Sequence, residues 1–336
     1  MKRDMRKWLE ELRCAEAKRA MPILSFPGAQ LLGIDVKELI FSAENQAAAM
    51  AAGAERTPSA AGVSLVGLAG GAGCVGAKSG RSPGVLGAVT GSIVSSLAAA
   101  SALRIPAVGE GRTHLYIDAI RLASEKIKDR PVFAGVIGPF SLAGRLTDVS
   151  EAMIYCYEEP EMMHTLLKKA SEFLISYIRA YKEAGADGIV MAEPLAGLLS
   201  PALAQEFSAD YVREIFAAVK DEDFLVIYHN CGNTALITID SILSTGADTY
   251  HFGNAIDMAQ MMERIPEKTV AMGNIDPAGV LRNGNPESVK AATLQLLHAC
   301  SKYKNFVISS GCDIPPDTPW ENIDAFFQTV TSFYGK

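Results

Sequence analysis

The stretch EAGADGIVMAEP, residues 183–194, decides the fold. Gly185 stands where a helix stops, because the residue after a helix takes a left-handed conformation that glycine adopts without steric cost. Behind it, residues 188–192 form a short apolar β-type run ending at Glu193-Pro194. In front of it, PEMMHTLL opens an amphipathic helix that runs from Pro160 to Glu183. The same punctuation recurs in STGAD, residues 244–248, ahead of the run 248–252. Working outward, six further runs of this kind occur at residues 22–26, 61–66, 132–137, 224–228, 269–272 and 306–309. Eight β/α repeats predict an α/β fold, a single (β/α)8 TIM barrel occupying residues 1–336 as one domain. An N-terminal helix over MKRDMRKWLEELR precedes it. The connection between the second and third strands is too long for one helix, so an excursion is expected there.

Composition agrees with this reading. The 336 residues are 49% hydrophobic and 21% charged, enough for a large core and incompatible with disorder or coiled coil. With 31 Lys+Arg against 38 Asp+Glu, the net charge of −7 offers no electrostatic footprint for nucleic acid. The charged N-terminus has no apolar signal core, which predicts a cytoplasmic protein. The uncharged stretch 82–103 fails as a membrane span, since only 12 of its 22 residues are Ala, Val, Ile or Leu. Six scattered cysteines make no disulfide framework; Cys14, Cys156 and Cys300 fall in helical patterns and read as small apolar residues.

In such a barrel the chemistry sits at the C-terminal ends of the strands and in the loops that follow. Those positions read Glu193-Pro194, His229-Asn230-Cys231-Gly232, His251-Phe252-Gly253-Asn254, Gly273-Asn274-Ile275-Asp276-Pro277 and Ser310-Gly311-Cys312-Asp313. His229 and Cys231 are alternate residues at a strand end and project to one side. Cys312, 81 residues after Cys231, returns to the same mouth. His, Cys and Cys with a vacant fourth position make a zinc site of catalytic type, whereas a structural site would show two close-spaced Cys pairs. Zinc of this kind binds a substrate thiol as the thiolate, so a nucleophilic sulfur exists at neutral pH.

With these residues the sequence resembles the uroporphyrinogen decarboxylase superfamily, and within it the corrinoid-dependent methyltransferase branch. The resemblance rests on GPFSLAGRL (138–146), EAGADGIVMAEP (183–194), LLSP (198–201), YHNCGNT (228–234), GNIDP (273–277) and SSGCDIPPDTPWENI (309–323). It implies a TIM barrel whose Zn2+ is held by His229, Cys231 and Cys312. It also implies methyl transfer between a separate corrinoid carrier protein and a small thiol or other methyl acceptor or donor. The carrier's own signature, Asp-x-His-x-x-Gly, is absent from this chain, so the corrinoid arrives on a partner. Glu193 is the first candidate for a fourth ligand and His251 the second; Asp276 and Asp313 are expected to orient His229 or the loop around Cys312. The decarboxylase branch is the competing reading. It uses no metal and grips tetrapyrrole propionates through an arginine-rich N-terminal motif, where this chain has LSFPGAQLLG (24–33) and no arginine. A catalytically silent binding homologue is a third.

One segment departs from the resemblance. Residues 56–109 contain no acidic residue, and residues 62–87 hold nine of the 29 glycines. Where the family is rich in Asp and Glu, this chain reads VGLAGGAGCVGAKSGRSPGVLGAV (66–89). A local change of reading frame, genuine or introduced in sequencing, would replace acidic codons by such a string and leave both flanks intact; re-sequencing the gene checks this. The Gly71-x-Gly73-x-x-Gly76 spelling within it is no dinucleotide fingerprint, because the next acidic residue is Glu110.

Overall fold

The computed structural model describes residues 3–66 and 93–335. Seven parallel strands lie in chain order: β1 (Gly62–Val63), β2 (Val132–Ile137), β3 (Gly188–Ala192), β4 (Leu225–Asn230), β5 (Thr249–Phe252), β6 (Val270–Ile275) and β7 (Phe306–Ser310). Helices connect them on the outside, which parallel pairing requires. The longest, Pro160–Glu183, has the predicted bounds, and its buried face includes Met162, Met163, Leu166, Leu167 and Leu174.

Residues 22–26, expected as the first strand, form no ladder strand. The neighbouring segment 20–23 nevertheless bridges the two edges of the sheet. The Ala60 amide donates to the Ala20 carbonyl at 2.9 Å, and the Met21 amide donates to the Ile308 carbonyl at 3.0 Å. Pro22 has no N–H to give, and the Ile23 amide bonds the Ser310 hydroxyl at 3.0 Å instead of a backbone carbonyl. Side chains therefore complete the closure between β7 and β1 that a regular ladder would otherwise make. The chain is a (β/α) barrel closed in this way.

The two GAD devices share a further role. Gly185 and Gly246 both have positive φ, at 101° and 68°. The aspartate after each then reaches an amide at the start of the preceding strand: Asp187 Oδ2 accepts from Val132 N at 2.9 Å, and Asp248 Oδ2 from Val226 N at 2.8 Å. Asp248 also meets Arg6 of the N-terminal helix at 2.5 Å, and only 4% of its side chain is exposed. Asp248→Ala strands the buried Val226 amide and frees that helix, a loss of about 2 kcal/mol. Urea unfolding midpoints check this, and a change within error would refute the tie.

Successive strand residues face alternately in and out. Val63, Phe133, Val190, Leu225, Ile227, Val270, Met272 and Val307 fill the lower interior, capped by Met5, Trp8 and Leu12 of the helix Met5–Cys14. Trp8 packs on Phe133 with ring centroids 5.6 Å apart. Continuing the same alternation upward, the inward positions become His229, His251 and Ser309. A dry apolar floor thus carries a polar layer at the mouth.

The excursion between β1 and β2 includes the helices Leu97–Ala102 and Thr113–Lys126, the latter packed on Ala43–Arg56. Residues 67–92, which contain Cys74, the Gly71–Gly76 spelling and all of the string 66–89 but Val66, lie outside the described residues. Among the described residues, no helix is long and apolar enough to cross a membrane.

Candidate metal centre

β4 is two residues longer at its top than the apolar pattern suggested, so His229 is a strand residue and Cys231 the first residue beyond it. Two glycines let the loops close around that cysteine. A Cβ on Gly253 would lie 2.5 Å from Cys231 Cα, and one on Gly232 would lie 2.3 Å from Gly197 Cα. Cys312 follows β7 and Gly311, where a Cβ would strike the Asn254 amide at 2.6 Å. These close approaches bring Cys312 to the His229–Cys231 pair from 81 residues away in the chain.

His229, Cys231 and Cys312 each offer one donor atom, and all three atoms lie within 4.8 Å of one another. Cys312 Sγ is 3.6 Å from His229 Nε2. Zinc bonds of about 2.3 Å to sulfur and 2.0–2.1 Å to nitrogen, set at the tetrahedral angle, give an S···N edge of about 3.6 Å. The donor set fits Zn2+ in both chemistry and size. His229 is 2% exposed whereas both cysteines are half-buried, so the triangle is rooted in the barrel and open toward the rim. The Cys231 thiol donates to Cys312, which lowers the Cys312 pKa and raises that of Cys231. A cation would displace the proton held between them.

The other rim candidates are placed differently. Glu193 is fully buried; Phe140 N donates to Oε2 at 2.9 Å and Ser141 N to Oε1 at 2.6 Å. It thereby caps the helix Pro139–Thr147, and Gly138 leaves it the room, since a Cβ there would lie 2.5 Å from Oε2. Burial raises its pKa to about 7 against the pull of Ser141 and the two amides. His251 lies directly behind His229, Nδ1 to Nδ1 at 2.8 Å, with its Nε2 on the Ser309 hydroxyl at 2.7 Å. Neither residue belongs to the ligand triangle, because the first is committed to a helix terminus and the second to the back of His229. Asp276 accepts from Ala278 N and Gly279 N, each at 2.9 Å, and so caps the turn Pro277–Arg282. Asp313 accepts from the amide and hydroxyl of Ser25, which moors the Cys312 loop to the segment that closes the barrel. Loss of hydration raises its pKa to about 8.

The remaining histidines and cysteines have other surroundings. His164 stacks on Phe207 with centroids 4.7 Å apart, His298 packs edgewise on Phe333, and exposed His114 bonds the Gly111 carbonyl at 2.8 Å. Cys156 and Cys300 are buried in the apolar core. Cys14, expected as an apolar residue, is exposed beside Glu10 on the N-terminal helix. The backing of His229 by His251 and Ser309 was missed in the sequence. Strand alternation carried the signal, since β4 and β5 pair His229 with His251 in register.

Comparison with known proteins places this geometry. The family model described as uroporphyrinogen decarboxylase (URO-D) matches residues 14–333. A uroporphyrinogen decarboxylase of Coxiella burnetii is 32% identical over 243 residues, 69% of this chain and 66% of that protein. The methylcobamide:CoM methyltransferase MtbA of Methanosarcina acetivorans is 30% identical over 232 residues, 67% of this chain and 66% of its own length. The match thus spans slightly under two thirds of these relatives. A solved methyltransferase from Methanosarcina mazei superposes with TM-score 0.83 over 96% of this chain and 97% of its own, at 24% identity, and shares the fold. The chain belongs to the uroporphyrinogen decarboxylase (URO-D) family.

Proposed function

We propose that this protein is a zinc-dependent methyltransferase that moves a methyl group between a corrinoid carried by a partner protein and a small thiol. The observation that carries this reading is the His229–Cys231–Cys312 triangle, open on the rim side. Likeness to the methylcobamide:CoM methyltransferase of Methanosarcina acetivorans supports it. Zinc held there would supply Lewis acidity that lowers the pKa of a substrate thiol. The chain's own part is charge and aim. Two cysteine thiolates and a neutral imidazole balance a dication, so one incoming thiolate adds a single negative charge. The buried walls around His229 and Glu193 keep water from the lower side of the site. In the thiol-methylating direction the thiolate sulfur forms the S–C bond while the Co–C bond breaks. Its electron pair stays on cobalt, Co(III) becomes Co(I), and the thiol proton leaves to solvent. In-line positioning supplies most of the remaining barrier reduction.

The test is metal analysis followed by incubation with methyl-Co(III) corrinoid and a panel of thiols. One zinc per chain with Co(I) formation supports the reading; a protein that stays metal-free after zinc addition sinks it. The identity to the Coxiella burnetii decarboxylase favours a second reading, metal-free tetrapyrrole decarboxylation, which would instead release carbon dioxide from a porphyrinogen. Zinc binding without turnover of either kind would mark a silent binding homologue.

The close packing at Cys231 yields its own expected outcome. In Gly253→Ala the new methyl group would lie 2.5 Å from Cys231 Cα and must push the ligand aside. Overpacking of this kind costs about 1–3 kcal/mol, so zinc affinity falls roughly tenfold or more. Chelator competition measures it. Unchanged affinity in a normally folded variant would show that the loop gives way elsewhere.

A further inference from the structure

We infer that His251 and Ser309 are positioning residues that lock His229 into the tautomer able to bind metal; the inference rests on the zinc reading proposed above. The relay begins at a group that cannot change its role. The Met21 carbonyl can only accept, and the Ser309 hydroxyl donates to it at 2.8 Å. Having spent its one proton there, Ser309 Oγ must accept from its other neighbour, His251 Nε2, at 2.7 Å. His251 therefore carries its proton on Nε2 and presents a lone pair at Nδ1. That lone pair faces His229 Nδ1 at 2.8 Å, so His229 is the donor and its proton sits on Nδ1. The His251 carbonyl, 3.3 Å from the same nitrogen, is a second acceptor and reinforces the assignment. Every step follows from counting protons, and the outcome is a bare His229 Nε2, the atom 3.6 Å from Cys312 Sγ.

The relay also ties the site to the architecture. Met21 lies in the segment that closes the barrel, Ser309 on β7, His251 on β5 and His229 on β4. All three side chains of the relay are buried, His229 and His251 at 2% exposure and Ser309 at 0%, so water does not compete for these bonds. Histidine ligands are commonly oriented by a carboxylate or a carbonyl. A neutral imidazole in that place fixes the tautomer without adding charge, which preserves the charge balance that lets one thiolate enter.

Three measurements test the inference. In the metal-free protein, long-range 15N–1H NMR correlations should show the neutral form of His229 protonated at Nδ1. The opposite tautomer overturns the proposal, whether or not zinc binds. In chelator competition, His251→Leu and Ser309→Ala should weaken zinc roughly 10- to 100-fold, the range typical of lost outer-shell partners. His251→Asn, which can still accept and donate, should recover most of that loss. The Co2+-substituted charge-transfer spectrum should shift in His251→Leu and return toward wild type in His251→Asn. If His251→Leu fails to fold, Ser309→Ala decides the question. Wild-type affinity and spectrum in a folded Ser309→Ala or His251→Leu variant overturn the proposal. A wild-type chain that binds no zinc overturns the proposed function instead, and the NMR measurement then decides the tautomer alone.

Discussion

Cys312→Ala and Cys231→Ala are each expected to abolish zinc retention and methyl transfer together, while leaving the barrel folded. Each variant removes one of three protein donors. Binding free energies of structural zinc sites run to about 10–16 kcal/mol over four ligands, so one ligand is worth roughly 3–4 kcal/mol, or on the order of 10²- to 10³-fold in affinity. Cys312→Ala has the larger effect of the two. Cys312 contacts both of the other ligands: it receives the Cys231 proton and lies 3.6 Å from His229 Nε2. Folding is spared because Cys312 lies beyond β7 and Cys231 just beyond β4, outside the ladder bonds. Metal analysis with chelator competition, alongside circular dichroism, reads both effects. Retention of a full zinc equivalent by Cys312→Ala would exclude the triangle as the metal site.

Glu193→Ala is expected to do the reverse, to lower stability strongly and leave zinc stoichiometry intact. Its carboxyl accepts from two amides at a fully buried helix start, and each orphaned donor costs about 1–3 kcal/mol, with a cavity added. A loss of about 4 kcal/mol follows. The group also has a pH signature. Burial raises its pKa from 4.5 to about 7. The folded state therefore holds the proton more tightly than the unfolded chain. The stability this provides is complete below pH 4.5 and is lost as pH rises through 7. That interval corresponds to about 3 kcal/mol. The advantage of wild type over Glu193→Gln should accordingly be larger at pH 5 than at pH 8. An equal or reversed difference in urea unfolding would show that the two amides hold Glu193 ionised. Loss of zinc from a folded Glu193→Ala variant would return this residue to the metal.

Much of the fold could be read from local chemistry. Gly185 and Gly246 end helices because few other residues tolerate positive φ, and the apolar runs behind them become buried parallel strands. The segment 20–23 could not be read as an irregular closure, because its bonding depends on the hydroxyls of Ser309 and Ser310 some 290 residues away. His229, Cys231 and Cys312 were legible for a related reason: a parallel barrel brings strand ends to one rim regardless of their separation in the chain.

What the sequence determined alone was therefore the set of donor side chains and the rim on which they meet, since strand period and barrel topology follow from residue pattern. Only the tertiary structure decided which polar neighbours back the donor triangle and which serve the scaffold. Glu193 follows β3 and His251 lies within β5, one ladder step apart on the same rim. One turns to the amides of an adjoining helix and the other to the back of a histidine. That choice depends on which unpaired donor or acceptor lies within 3 Å once the barrel closes, and a hydrogen bond across strands leaves no mark in the order of residues.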